Sequence, residues 1–399
     1  MNMMTDDFRR KLQDYKDGKL ADEERAELER ELEKMEVYQS YLDEMMGSEE
    51  GTGTKPEAIT AREEKMHKRE AKLLRKGKWK FRFGTLLTLF SLFIWFTFLS
   101  GIGSAIYFSA GEPDVNDVLK DVVESAIAVG YPNVSVHLSS NSGMYFNLKL
   151  NGKMTKRVGD ERVEVGDLSG NFLFSWLRTY DFAWSDQETN NKFFYFPSDQ
   201  SIDSSREWKR LDKLPEGTVA EAYVSYKQLY PTEDFLKLFE GKQIEPLWFA
   251  VDHGEAMAKG KKGFDPIITS PIGFPAYPNW HPGDGKVTKG ETHKTGLFTS
   301  FSTSSTSYPA IEQYGSAKIR NENFIKSLRI LAEHKMAASR LIPFVDMKES
   351  LEYVEKNGVK IYGAVVTGPT KEILKLKEDP AVSGIHVGKV ALWNWTVEE

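Results

Sequence analysis

Hydrophobic positions change their spacing several times along the chain, and each change predicts a different element. From Thr5 onward, Phe8, Leu12 and Tyr15 recur at the spacing of one helix face. Thr5 followed by Asp6 and Asp7 supplies an N-cap and an acidic first turn, and Asp17-Gly18 breaks the helix. A second helix is expected from about Ala21, with Asp22, Glu23 and Glu24 near its positive end. Leu28, Leu32, Met35, Tyr38, Leu42 and Met45 form one apolar stripe along it, Gly47-Ser48 ends it, and Gly51 to Pro56 reads as linker. Two helices of this size bury little apolar surface alone, so the stripe needs a partner: the first helix, a second copy of the chain, or another protein.

From Phe83 to Gly111 no residue is charged, a run of 29. Roughly 20 mostly apolar residues suffice to cross a bilayer core, and soluble core helices are rarely apolar all round for this length. A membrane helix is therefore expected over 84–108, with Trp79, Phe81 and Tyr107 near its ends, where aromatic rings favour the headgroup region. A cleaved signal peptide fits poorly, since the run begins after some eighty residues.

Beyond the run, Val115, Val118, Leu119, Val122, Val123 and Ala126 lie on one face of a helix expected over Asp114 to Ala128. The period then falls to two. Val134 to Leu138, Tyr145 to Leu150, Arg162 to Val165, Asn171 to Phe174 and Phe193 to Phe196 read as strands, with Asn151-Gly152 as a turn signal and Asp167 to Gly170 as an acidic turn. Further on, strands are expected at Thr218–Ser225, Leu247–Val251, Val359–Val366 and roughly Gly384–Leu392. Helices are expected at Thr232–Phe239, Asn321–His334, Asp346–Asn357 and Pro369–Leu376. Residues 256–310, rich in Gly, Pro, Ser and Thr, read as a long irregular insertion. The fold class is α+β: an N-terminal helical hairpin, one transmembrane helix and a mixed α+β region beyond it. The expected domains are 1–50, a linker and basic juxtamembrane helix over 51–82, the span, a strand-rich region over 112–205 and an α+β region over 215–395.

Charge changes this picture where it is uneven. The whole chain carries a formal charge of −6, which argues against a general nucleic-acid binder. Residues 1–50 hold sixteen acidic and eight basic side chains, whereas Arg62 to Arg82 hold ten basic and only three acidic ones. Glu112, Asp114, Asp117 and Asp121 open the far side. The basic flank marks the cytoplasmic side, so the N-terminus is expected inside and residues after about 108 outside, with the basic run lying against anionic lipid.

Candidate chemistry is sparse. With no cysteine in the chain, disulfides, thiolate zinc sites and cysteine nucleophiles are excluded. No Gly-x-Ser-x-Gly, His-Glu-x-x-His or phosphate-binding glycine loop occurs. Asp252-His253 would need a nucleophile to form a catalytic pair, and His253 reads as a surface or satisfied polar residue, while His281 sits in a turn-rich loop with no zinc-like spacing. The outer tryptophans Trp176, Trp184, Trp248, Trp280, Trp393 and Trp395 read as packing residues, with a carbohydrate or lipid platform as the alternative. No cofactor or metal is expected.

Phe8, Leu12, Tyr15, Asp17-Gly18-Lys19-Leu20, Glu23-Glu24, Leu28, Glu31-Leu32-Glu33 and Val37-Tyr38-Gln39 resemble the N-terminal domain of membrane-bound anti-sigma factors. The likeness is closest to regulators of the extracytoplasmic-function sigma factor of type M. Gly217 to Tyr223, Pro246 to Asp252, Gly363 to Thr370 and Val387 to Val390 resemble the C-terminal domain of the same regulators. Several related domains carry a zinc-binding His-Cys-Cys signature, so this chain would be a zinc-free version. The resemblance implies a non-enzymatic regulator that holds a sigma factor at the cell membrane, occludes its polymerase-binding surfaces and releases it on envelope stress. The implied sigma-binding residues are Phe8, Leu12, Tyr15, Leu28, Leu32, Met35, Tyr38 and Leu42. A small multi-span membrane co-regulator is implied as a further partner, alongside the lipid bilayer, with no direct nucleic-acid contact. Two other readings remain open: an envelope ligand-binding protein or enzyme with a membrane anchor, and an oligomer joined by the stripe.

Overall fold

The computed structural model describes residue 15 and residues 22–47, 61–185, 193–197, 202–254, 267–294 and 300–393. The chain divides into two compact units, Met1–Leu89 and Phe90–Glu399. In the first, helix α1 spans Asp22–Gly47. Its Ala, Leu, Glu, Lys, Arg and Met content suits a helix, and Gly47 closes it as expected. Phe8, Leu12 and Asp17-Gly18 lie outside the described residues, but Tyr15 is helical and its hydroxyl donates to Glu29 at 2.9 Å.

Helix α2 runs Ala61–Phe108 and joins the expected juxtamembrane and apolar segments without a break. Among the described residues one stretch is long and apolar enough to cross a membrane, the 34 residues Arg75–Phe108.

In the second unit, helix α3 (Val115–Gly130) begins at Asp114, whose side chain accepts from the Asp117 amide at 2.8 Å. Its apolar face buries Leu119, Val122, Val123, Ala126 and Ile127. Four strands follow as an antiparallel meander: β1 (Val134–Gly143), β2 (Asn147–Val158), β3 (Glu161–Leu173) and β4 (Trp176–Trp184). Two expectations fail here. Asn151-Gly152 is not a turn but lies inside β2, where Gly152 pairs with Leu138. A Cβ at Gly152 would meet the His137 carbonyl at 2.6 Å, so the glycine serves close strand approach. The turn falls instead at residues 144–146, and Tyr145 and Phe146 leave the strand with φ of 59° and 54°. Asp167 to Gly170 likewise sit in the middle of β3, paired across to both β2 and β4.

After β5 (Phe194–Tyr195) and helix α4 (Ser205–Asp212), a five-stranded sheet forms from β6 (Thr218–Pro231), β7 (Glu245–Val251), β9 (Gly273–Pro275), β12 (Lys360–Pro369) and β13 (Val382–Leu392). Its order is β13-β6-β12-β7-β9, and every neighbour pair is antiparallel. The central strands read as continuous apolar runs because both faces are covered. Ala220, Ala222, Val224, Phe249 and Ile361 join the main core, whereas Tyr223, Trp248, Tyr362 and Val365 form a second cluster with Phe194 and Phe196. The remaining elements are α5 (Thr232–Lys237), β8 (Ile267–Ile268), β10 (Lys286–Lys294), β11 (Ser300–Ser307), α6 (Ala317–Glu333), α7 (Lys335–Leu341), α8 (Met347–Asn357) and α9 (Thr370–Lys375). The segment read as irregular over 256–310 therefore contains the β10–β11 hairpin and two short strands. Its Ser and Thr residues pair along a ladder whose alternation carries little hydrophobic signal.

Candidate functional site

The expected partner-binding stripe falls on α1, and its members differ in exposure. Leu28 is 2% exposed, Leu32 is half-buried, and Met35 and Tyr38 are 48% and 67% exposed. Val37 and Tyr41 are exposed as well, so the C-terminal half of the helix presents apolar groups beyond a single stripe. Tyr15 is half-buried against the same helix. Phe8 and Leu12 lie outside the described residues, as does the side chain of Leu42. Leu28 is thus an internal packing residue of the unit, while Met35 and Tyr38 are available to a partner. One turn before them lie Glu31, at i−4 from Met35, and Lys34, at i−4 from Tyr38, while Glu33 and Glu36 fall on other sides of the helix and make α1 acidic as a whole.

The second unit holds a cavity of about 490 Å³ between α3, the meander and the five-stranded sheet. Its apolar wall includes Ile127, Trp248 and Tyr277, and its charged wall includes Glu124, Lys156, Arg157 and Glu245. Two of the three lining cations, Lys156 and Arg157, are paired internally. Arg157 makes a two-pronged contact with Glu245 at 2.5 and 2.6 Å. Lys156 is buried beside Glu221, with Nζ–Oε distances of 3.2 and 3.3 Å, and donates to the Tyr223 hydroxyl at 3.2 Å. Glu221 also accepts from Asn133 at 2.8 Å, from the Tyr223 hydroxyl at 3.2 Å and from the Lys389 amide at 3.3 Å. The network holds β2, β6 and β13 to the segment that follows α3. The pairing was not legible in the sequence, since Lys156 and Glu221 lie 65 residues apart on different strands and meet only through topology.

Burial pushes the Glu124 carboxyl above its usual range, and the amide of Leu138, which donates to it at 3.3 Å, opposes that shift only in part. A carboxyl whose pKa is higher folded than unfolded binds more protons when folded. Its presence lowers stability as pH rises from the ordinary carboxylate range through the folded value. Glu124→Gln keeps the acceptor and removes the charge. The variant is expected to unfold at a higher temperature than the parent at pH 7, and the difference should vanish near pH 4. Paired thermal unfolding curves across that range check this.

His281 has the most enzyme-like geometry among the described residues. Its Nδ1 lies 2.7 Å from Asp121 and its Nε2 3.1 Å from the Ser327 hydroxyl. The order of groups is that of an acid, a base and a nucleophile, but all three are buried, and Ser327 also bonds the Asn323 carbonyl at 3.1 Å. No substrate carbonyl can approach, so the trio ties α3 to α6 through the intervening loop. The partners of His281, 160 and 46 residues away, were not legible in the sequence, which showed only a turn-rich loop without zinc-like spacing. His253 similarly contacts Ser350 at 3.2 Å, and Asp252 accepts from the Tyr353 hydroxyl at 2.8 Å. Among the described residues, no group of three or more His, Asp or Glu side chains gathers where it could hold a metal ion.

A family model described as sigma factor regulator C-terminal matches residues 211–389, and one described as sigma factor regulator N-terminal matches residues 71–163. A curated relative, the probable anti-sigma-M factor YhdL of Bacillus subtilis (strain 168), is 30% identical over 406 residues, covering 98% of this chain and 100% of the relative. No solved structure matches the chain. The N-terminal model begins within α2 and extends into the meander, so α1 lies outside both models and inside the full-length match.

Proposed function

Because the chain belongs to the sigma factor regulator family, as an anti-sigma factor, we propose that α1 captures an extracytoplasmic-function sigma factor and keeps it at the membrane. The observation that carries this reading is the match along the whole chain to an anti-sigma factor. Met35 and Tyr38 on the acidic helix supply the surface, with Phe8, Leu12, Leu32 and Leu42 completing or buttressing it. A docked α1 occludes the sigma surfaces that RNA polymerase would use, so inhibition needs contact area alone and no cofactor. Membership of a regulator family is in keeping with a non-enzymatic role.

The proposed topology follows the charge asymmetry. Helix α2 crosses the membrane, residues before it lie in the cytoplasm, and residues from about 109 lie outside. Envelope stress acts on the outer region, and release of the sigma factor is its consequence inside. The 490 Å³ cavity favours a second role for that region, reception of a small ligand, because its size and mixed lining suit one.

The test is binding of the full chain, in lipid nanodiscs, to purified extracytoplasmic-function sigma factors, with transcription by the matching holoenzyme as readout. One of them is expected to bind and to lose activity in proportion to occupancy. Failure of all of them to bind would transfer the function to the outer region and its cavity.

A further inference from the structure

The meander has one charged end and one uncharged end. Lys153, Lys156, Arg157, Asp160, Glu161, Arg162 and Glu164 crowd the β2–β3 end. At the opposite end, residues 138–148 and 168–177 contain no charge at all. These stretches carry the β1–β2 turn, Met144-Tyr145-Phe146, and the β3–β4 turn, Phe174-Ser175. The two turns sit side by side, with the Phe174 amide donating to the Phe146 carbonyl at 2.8 Å and the two rings stacked at 4.5 Å.

Both turns pack along the last three turns of α2. The Tyr145 amide donates to the Ser100 hydroxyl at 2.6 Å and the Phe146 amide to the Ser104 hydroxyl at 2.7 Å. Tyr145 and Thr97 share a hydrogen bond of 2.6 Å, and Tyr107 and Ser175 one of 2.9 Å. Gly103 leaves room for the Phe146 ring, which a Cβ there would meet at 3.3 Å.

Three features of these turns suit hydrocarbon better than water. Tyr145, Phe146 and Phe174 hold φ between 53° and 59°, and they are three of the five non-glycine residues with positive φ among those described. Bulky side chains rarely adopt such backbone, and in a water-exposed turn Gly would adopt it freely. Next, the turns leave Met144, Tyr145, Phe174 and Trp176 exposed, 41–52% of each surface uncovered. Finally, three turn amides are satisfied by the helix or by the other turn. Water would do this for an ordinary surface loop, whereas a loop in lipid must be satisfied internally.

Placement of the span bounds the depth. About 20 residues cross the hydrocarbon. Within the uncharged run 83–111, a span of that length runs from residues 83–102 at one extreme to 92–111 at the other. Both contain Thr97 and Ser100, the residues that hold Tyr145. We propose that the two aromatic turns are immersed in the outer leaflet beside α2, so that the outer region is keyed into the lipid and reads its packing directly. Lys149 and Arg178, the first exposed cations on each hairpin, then lie at headgroup level, where their long stems let the charge reach phosphate. Aromatic rings at the turn tips and cations one step above them follow the depth order of a membrane interface. The inference rests on α2 crossing the membrane.

The chain has no cysteine, so single probes need no background removal. Met144→Cys, Leu92→Cys and Glu161→Cys, each carrying a nitroxide, are placed in the full chain in vesicles of phosphatidylcholine and phosphatidylglycerol. Collision with oxygen, which concentrates in lipid, is compared with collision with a water-soluble nickel chelate. The expected result is that position 144 resembles position 92, with oxygen access high and nickel access at least tenfold below that at position 161. Nickel access at 144 equal to that at 161, with 92 still in lipid, overturns the immersion alone. Nickel access at both 92 and 144 overturns the membrane helix itself. Shielding of 144 from both quenchers overturns lipid as the occupant and assigns the patch to a protein contact.

Discussion

Met35→Glu combined with Tyr38→Glu is expected to weaken sigma-factor binding at least a hundredfold and to restore transcription. Both side chains are solvent-exposed in the free chain, so the change leaves the helix and its packing on Leu28 intact, and Glu is itself a good helix former. In a docked interface each side chain becomes an anchor, and loss of a central anchor costs about 2 kcal/mol or more. A carboxylate left buried without a partner adds to that cost. At roughly 1.4 kcal/mol per tenfold, the pair comfortably exceeds a hundredfold. The acidic charge spread around the helix acts differently. Reversal of Glu31, Glu33 and Glu36 should mainly slow association and flatten its salt dependence. Titration of labelled sigma factor with the full chain in nanodiscs measures the first effect, and circular dichroism confirms the helix. An affinity within threefold of the parent would show that the interface lies elsewhere, with residues 1–14 the next place to look.

The elements that were legible in the sequence are those whose periodicity is strong and local. The α1 stripe, the uncharged run of α2 and the amphipathic α3 each occupy their expected place within a few residues. The misplaced turn shows why the rest was not. Asn151-Gly152 carries a strong local turn signal, yet the helix serines Ser100 and Ser104 hold the chain in a turn at residues whose own preference is extended. Tertiary contact there overrides propensity. The same holds for the β10–β11 hairpin, whose Ser and Thr residues follow neither period clearly. On the candidate interface, the stripe showed which residues share a face of α1. Only the structure separates buried Leu28 from exposed Met35 and Tyr38, because spacing alone does not say which neighbour covers the stripe.

The second large effect concerns the stability of the Phe90–Glu399 unit. Lys156 and Glu221 are 2% and 1% exposed, so each charge is tolerated only because the other is present. Lys156→Met removes the cation and leaves Glu221 with neutral donors, those of Asn133, Tyr223 and the Lys389 amide. Removing one member of such a pair costs about 3–5 kcal/mol, a large share of a typical domain's stability. Replacing both together, Lys156→Met with Glu221→Gln, removes the uncompensated charge and keeps an acceptor for Asn133. The double variant is expected to recover most of the loss. Chemical unfolding of the full chain in detergent, followed by tryptophan fluorescence, reads the difference, since Trp248 is buried in the same sheet and its indole donates to the Ala128 carbonyl at 2.8 Å. The cycle also separates two explanations for the single variant. If the methionine merely packs badly, the double variant will be at least as unstable as Lys156→Met. If the orphaned carboxylate is the cause, the double variant will be more stable than either single one, and the coupling free energy between the two positions measures the ion pair that joins the meander to the five-stranded sheet.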